Sequence, residues 1–194
     1  MTGQKKYNRT ELLDRAIELF RRQGYAGTST AELVAELGVN RKSMYAEFGS
    51  KQELFEAALE RYSEVNLSRV LAPIEDDDAG ADAIHMAFAG YASASEGSFS
   101  GLGCLMANTA VERATLDPGS AQYVDAYLSR LTTGFRRALN NAQAEDKLAT
   151  GANLDELADF MAMAVVGISA LIRAKVSPAQ VHAAARVVTA QLRT

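Results

Sequence analysis

The stretch TSTAELVAELGVNRKSMYAEFGSK, Thr28 to Lys51, decides how the rest of this chain is read. Thr28, Ser29 and Thr30 offer hydroxyls that accept from the unpaired amides of a helix start. Leu33, Val34 and Leu37 then recur at helical spacing, and Gly38 supplies a residue that tolerates the positive φ of a helix end. Asn40 is the next N-cap. It opens a short polar helix, Arg41-Lys42-Ser43-Met44-Tyr45, before Phe48 returns to the core and Ser50 restarts a helix. Two short helices and a tight turn make a helix-turn-helix, whose second helix enters a DNA major groove. The chemistry agrees: Arg41 and Lys42 donate to guanine or phosphate, Asn40 and Ser43 are short hydrogen-bonders, and Tyr45 reaches a phosphate oxygen. Lys51, in the first turn of the next helix, adds an ammonium to free amides. With Thr30 these are the DNA-contact candidates. The competing reading is a helical hairpin with a solvated basic turn.

Outward from this stretch the order of residues becomes specific. Phe20-Arg21-Arg22-Gln23-Gly24-Tyr25 ends a first helix, the Thr28-Ser29-Thr30 cap and Leu33-Val34-Ala35-Glu36-Leu37-Gly38-Val39 follow, and Tyr45 precedes Phe48 by three. Ser50-Lys51-Gln52-Glu53-Leu54 completes the series. Residues 9–62 resemble the N-terminal domain of the TetR/AcrR family of bacterial transcriptional regulators. Family members commonly carry an aromatic or basic residue and then a histidine after the tyrosine. This chain has Ala46 and Glu47, and a carboxylate is unfavourable beside a phosphate. The resemblance implies an all-α fold of about nine helices. Residues 1–50 would be the DNA-binding domain and residues 51–194 a larger domain for effector binding and dimerisation.

Bulk composition fits a globular protein: of 194 residues 48% are apolar and 23% charged. No run approaches a membrane span, and the first residues lack the apolar core of a signal peptide, so the expected location is the cytoplasm. One cysteine excludes an internal disulfide, and two scattered histidines give no metal spacing, so neither metal nor cofactor is expected. The net charge of −4 divides unevenly: residues 1–62 carry ten basic and nine acidic side chains, residues 63–194 ten and fifteen. A head of only +1 must rely on placed contacts and on a second subunit rather than on bulk attraction.

Along the chain, Lys5 and Lys6 lie in a polar leader, and the first helix runs from about Arg9 to Gln23 with Leu13, Ala16, Ile17 and Phe20 on one face. A fourth helix carries Leu54, Phe55, Ala58, Leu59 and Tyr62, then Val65, Leu67, Val70 and Leu71. Such a helix would connect the two domains mechanically, and Pro73 with Glu75-Asp76-Asp77-Asp78 is expected to stop it. Further helices are expected over residues 81–95, from 103, over 121–143, over 154–174 and from Pro178, with a flexible joint at 97–101. Nothing shows sustained two-residue alternation.

The last two helices carry the dimer signal. Ala164, Gly167, Ile168 and Leu171 on one, with Val181, Ala184 and Val188 on the other, offer small and apolar positions for a two-fold four-helix bundle. The alternative is that these helices are simply central in one chain. In the middle helices His85, Phe88, Tyr91, Met106, Thr109, Tyr127 and Phe160 could line an effector cavity or fill a core. The resemblance favours the cavity, and the residue types favour an apolar or aromatic ligand, neutral or cationic. Cys104 follows glycines at a helix start, where a thiol is easily activated, and its surroundings resemble family members that sense electrophiles; a small buried apolar residue is the alternative. No catalytic set is apparent beyond an improbable His85–Cys104 pair. The expected function is a homodimeric repressor that binds a palindromic DNA operator and is released by a small-molecule effector. The alternative is a repressor that senses oxidants or electrophiles through Cys104.

Overall fold

The computed structural model describes residues 7–97, 100–112, 118–148 and 151–192; Lys5, Lys6, Ser98, Phe99 and Asp117 lie outside them. Among the described residues nine helices account for the regular structure, with one isolated antiparallel bridge between Leu148 and Leu192. They are α1 (Arg9–Gly27), α2 (Thr30–Leu37), α3 (Arg41–Phe48), α4, α5 (Ala81–Ala94), α6 (Leu105–Val111), α7 (Pro118–Ala144), α8 (Leu154–Arg173) and α9 (Pro178–Thr189). Helix α4 is one continuous run: Lys51–Tyr62, a π-helical turn over Ser63–Leu67, then Ser68–Glu75.

The caps expected at Ser29 and Gly38 form, and the structure adds Asn8 and Asn153. Asn8 accepts from Thr10 N at 2.9 Å, and Ser29 and Glu32 make a reciprocal capping box at the start of α2. Gly38 ends α2 with φ 67°, a conformation that would strain a side chain. Asn153 caps α8 by accepting from Asp155 N and Glu156 N, and Pro178 opens α9.

Two of the boundaries that differ from the sequence reading have a clear physical cause. Helix α1 breaks at Gly24 (φ 78°, ψ 171°) but adds a further turn through Gly27, because side chains from α4 and α6 satisfy that turn's polar groups. Pro73 does not stop α4. It sits in the last turn, and the helix ends at Glu75, which α7 grips from the side. Arg130 donates from Nε and Nη2 to the Glu75 carboxylate at 2.7 and 2.9 Å, and Arg137 donates to the Glu75 carbonyl. Cations at a helix C-terminus satisfy orphan carbonyls and oppose the dipole there, offsetting the amide that proline lacks.

The core runs unbroken from the head to the body. Leu13, Ile17 and Phe20 of α1 pack with Leu33, Leu37, Met44 and Phe48 of the helix-turn-helix and with Leu54, Phe55 and Leu59 of α4. Phe20 meets Phe55 edge-on at 4.8 Å between centroids. In the body, α7 and α8 form the central pair, while α5 packs between α9 and α7. Phe88 stacks on Phe135 at 5.6 Å. Among the described residues no helix is long and apolar enough to cross a membrane, and no group of acidic, histidine or cysteine side chains has metal-holding geometry.

Candidate functional site

Burial of Met44 and Phe48 fixes which way α3 faces and turns the helix's other side outward. Arg41 and Lys42 are exposed there, with Ser43 and Tyr45 half-buried behind them. Arg41 reaches along one helical turn to Tyr45, with Nη2 3.4 Å from the hydroxyl and the guanidinium 5.5 Å from the ring centre. A hydrogen bond from Thr30 and the neighbouring Arg41 both lower the Tyr45 pKa. Thr30, Arg41 and Tyr45 thus form one polar cluster bridging α2 and α3. Lys42 makes no hydrogen bond or ion pair with any described residue.

Three neighbours behave differently. Asn40 spends its side chain on the cap, accepting from Ser43 N at 2.8 Å. The Lys51 ammonium turns inward, donating to Tyr25 O at 2.7 Å and lying 4.2 Å from the Tyr25 ring centre. It closes the short turn at the end of α1, and burial lowers its pKa. Glu47 does not face the groove side: its side chain is nearly buried and pairs with Arg9 Nε at 3.6 Å. The outward face of α3 is therefore free of the carboxylate that the sequence put beside it.

The second feature is a cavity of about 530 Å³ between α4, α5, α6 and the C-terminal end of α8. Of the residues expected to line it, Tyr91 does, together with Cys104. Phe88, Met106, Thr109 and Tyr127 are instead buried in the filled core beside it, and Thr109 spends its hydroxyl on Leu105 O at 2.8 Å. His85 does not line the cavity either, so no His85–Cys104 pair forms in it. Phe160 is half exposed on α8 and belongs to a different surface. The apolar walls come from residues to which the sequence gave no cavity role, among them Leu67, Val70, Pro73, Met86 and Ile172. Cys104 takes the N-cap position of α6. The Tyr62 and Tyr127 hydroxyls lie beside its sulfur, and burial raises both well above the ordinary tyrosine pKa; Tyr91 is raised for the same reason.

A joint ties the cavity to the head. Arg21 is buried, at 5% exposure, and donates from Nε and Nη2 to Gly103 O at 3.1 and 2.7 Å, while Nη1 pairs with Glu18 at 3.0 Å. Asn108 of α6 returns a bond to Arg21 O at 3.3 Å. At the other end of α6, Glu112 accepts from Tyr25 N at 3.0 Å and from Ala26 N at 3.4 Å, and Arg173 of α8 approaches the same carboxylate at 3.5 Å. One short helix thus carries a cavity residue before its first turn and a latch onto α1 after its last. Arg21 had a sequence signal, since it follows Ile17 by four and shares the buried face. Glu112 had none.

The third surface lies on α8 and α9. Ile168, Val181 and Val188, expected at a dimer interface, are buried within the chain. The α8 helix needs that face for its own core. Ala164 and Ala184 are half-buried, Gly167 and Leu171 are exposed, and the outward stripe gains Phe160, Met163 and Val187. Positions 160, 163, 167 and 171 recur at helical spacing along one side of α8.

Two family models match this chain. "Bacterial regulatory proteins, tetR family" covers residues 12–58 and "Tetracyclin repressor-like, C-terminal domain" covers residues 80–188. The chain is 30% identical to the HTH-type transcriptional regulator YezE of Bacillus subtilis (strain 168) over 148 residues, 76% of each protein. It is also 30% identical to the HTH-type transcriptional repressor ComR of Escherichia coli (strain K12) over 172 residues, 85% of this chain and 79% of ComR. The regulator CifR, solved with a 26-base-pair operator DNA, superposes with a TM-score of 0.81 at 24% identity, covering 96% of this chain and 98% of CifR.

Proposed function

The chain belongs to the TetR family of bacterial regulatory proteins, and we propose that it is a homodimeric repressor whose operator complex is released by a small molecule in the α4–α8 cavity. The observation that carries this reading is the outward face of α3. It presents Arg41, Lys42 and Tyr45 with the helix's own carboxylate, Glu47, folded back onto Arg9. ComR, similar over most of its length, is described as a repressor. A single short recognition helix reads few base pairs, so two must act together, and the apolar stripe on α8 and α9 supplies the contact. Arg41 serves base readout, while Lys42 and Tyr45 serve phosphate positioning.

Footprinting on the DNA flanking the protein's own gene, followed by anisotropy titrations over a range of salt, tests the reading. Lys42→Ala should weaken binding evenly across sequences and reduce the salt slope by about 1. Arg41→Ala should change which sequence is preferred. Unaltered binding in both variants would mean that α3 does not enter the groove.

A second reading has its own observation. Cys104 lines the cavity with tyrosine hydroxyls beside it, so an electrophile entering there meets a thiol. Cys104→Ser separates the two: loss of the electrophile response with DNA binding retained supports the switch.

A further inference from the structure

The charge of the cavity lining points to a ligand chemistry different from the neutral or cationic one that composition favoured. Among the described residues no aspartate or glutamate lines the cavity, whereas two arginines do. Arg21 is neutralised by Glu18 at 3.0 Å and committed to Gly103 O, so its role is structural. Arg69 is exposed at the rim and makes no hydrogen bond or ion pair with any described residue. The other polar side chains around the space can all donate. Asn66 and Ser169 offer an amide and a hydroxyl, and burial keeps the Tyr62 and Tyr91 phenols protonated. Apolar walls of this size, about 530 Å³, hold a ligand body of drug-like bulk. At the rim Val70 and Met86 are left 46% and 66% exposed beside Arg69, which is an apolar collar around a cation. An added Cβ at Gly90, which also lines the cavity, would meet nothing within 4 Å.

We propose that this cavity takes an amphiphilic organic anion, an apolar or aromatic body bearing one carboxylate or sulfonate, with Arg69 as the charge clamp at its mouth. The inference rests on the reading of the cavity as the effector site and names the chemistry of what enters it. The apolar body displaces solvent from Leu67, Val70 and Ile172, and the anionic end pairs with the guanidinium and accepts from the lining donors. A cation of the same shape meets the same walls but faces arginine and hydroxyl donors with no carboxylate to receive it.

Isothermal titration of the full-length protein with three isosteric probes tests this: 2-naphthoate, 2-naphthalenemethanol and 2-naphthylmethylammonium. The naphthoate should bind about tenfold more tightly than the alcohol, the gain of one charge-assisted pair, and the cation should bind most weakly. Arg69→Gln should bring naphthoate down to the level of the alcohol and leave the alcohol unchanged. Gly90→Leu should weaken all three alike, because it removes space rather than charge. Equal affinities for the three probes, a naphthoate preference that survives Arg69→Gln, or no binding by any probe would each overturn the proposal. A mobility shift on operator DNA with saturating naphthoate separates the two claims. If binding is charge-selective but the DNA complex is unmoved, the anion site stands and the effector reading falls.

Discussion

Replacing Gly24 by alanine should disable the joint between α1 and α6 in two ways at once. The backbone there has φ 78° and ψ 171°, a region that only glycine enters freely; forcing a side chain into it costs about 1–3 kcal/mol. The new Cβ would also fall where the Glu112 carboxylate now lies, 1.9 Å from Oε1 and 2.8 Å from Cδ. Glu112 must leave, and with it go the bonds from Tyr25 N and Ala26 N. Charge-assisted hydrogen bonds are worth about 1.5–3 kcal/mol each when buried, and the exposed Ala26 amide finds water, so the latch contributes about 2 kcal/mol. Gly24→Ala should therefore destabilise by about 3–5 kcal/mol, and Glu112→Ala by about 2 kcal/mol. The double variant should cost no more than Gly24→Ala alone, since the carboxylate is lost only once. The coupling energy would then equal the latch, about 2 kcal/mol. Urea denaturation of all four proteins at one fixed concentration measures it. Additive effects, or a Gly24→Ala variant as stable as the parent, would refute the claim that this glycine exists to admit Glu112.

Two other expectations concern charge and assembly. The Lys51 pKa is lowered in the folded state by burial, so between that value and the unfolded 10.5 the unfolded chain holds more protons and stability rises with pH. Urea denaturation of the parent and of Lys51→Met from pH 7 to pH 10.5 should show the stability difference moving in the parent's favour as pH rises; a difference that does not change with pH would place the ammonium in water. Leu171→Glu, at a position 43% exposed on the α8 stripe, puts a carboxylate on the proposed dimer contact without entering the monomer core. Analytical ultracentrifugation should find a folded monomer with weakened operator binding, and a persistent dimer would move the interface elsewhere.

Local signals carried the head of this protein. Caps at Ser29, Asn40 and Ser50, the positive-φ Gly38, and the spacing of Leu33, Leu37, Met44 and Phe48 are written within a few residues of one another, so helix positions and the outward face of α3 could be read directly. Side-chain commitments across the fold could not. That Lys51 turns to Tyr25 O, and Glu47 to Arg9, depends on where α1 lies over α3 and α4. The body shows the same division more sharply. Its helices and their apolar stripes follow from periodicity, but a stripe does not say whether it meets a neighbour or an empty space. Phe88 and Tyr127 fill the core while Val70 and Met86 edge the cavity, because cavity walls arise where helices fail to close on one another. Ile168 and Leu171, three residues apart on α8, divide between the chain's own interior and its exposed stripe. Sequence by itself determined which residues turn into helix and which side of each helix is apolar, since those depend on neighbours three or four positions away. Only the tertiary arrangement decided what each apolar side touches and which buried charges find partners, since those contacts join residues as far apart as Arg21 and Gly103.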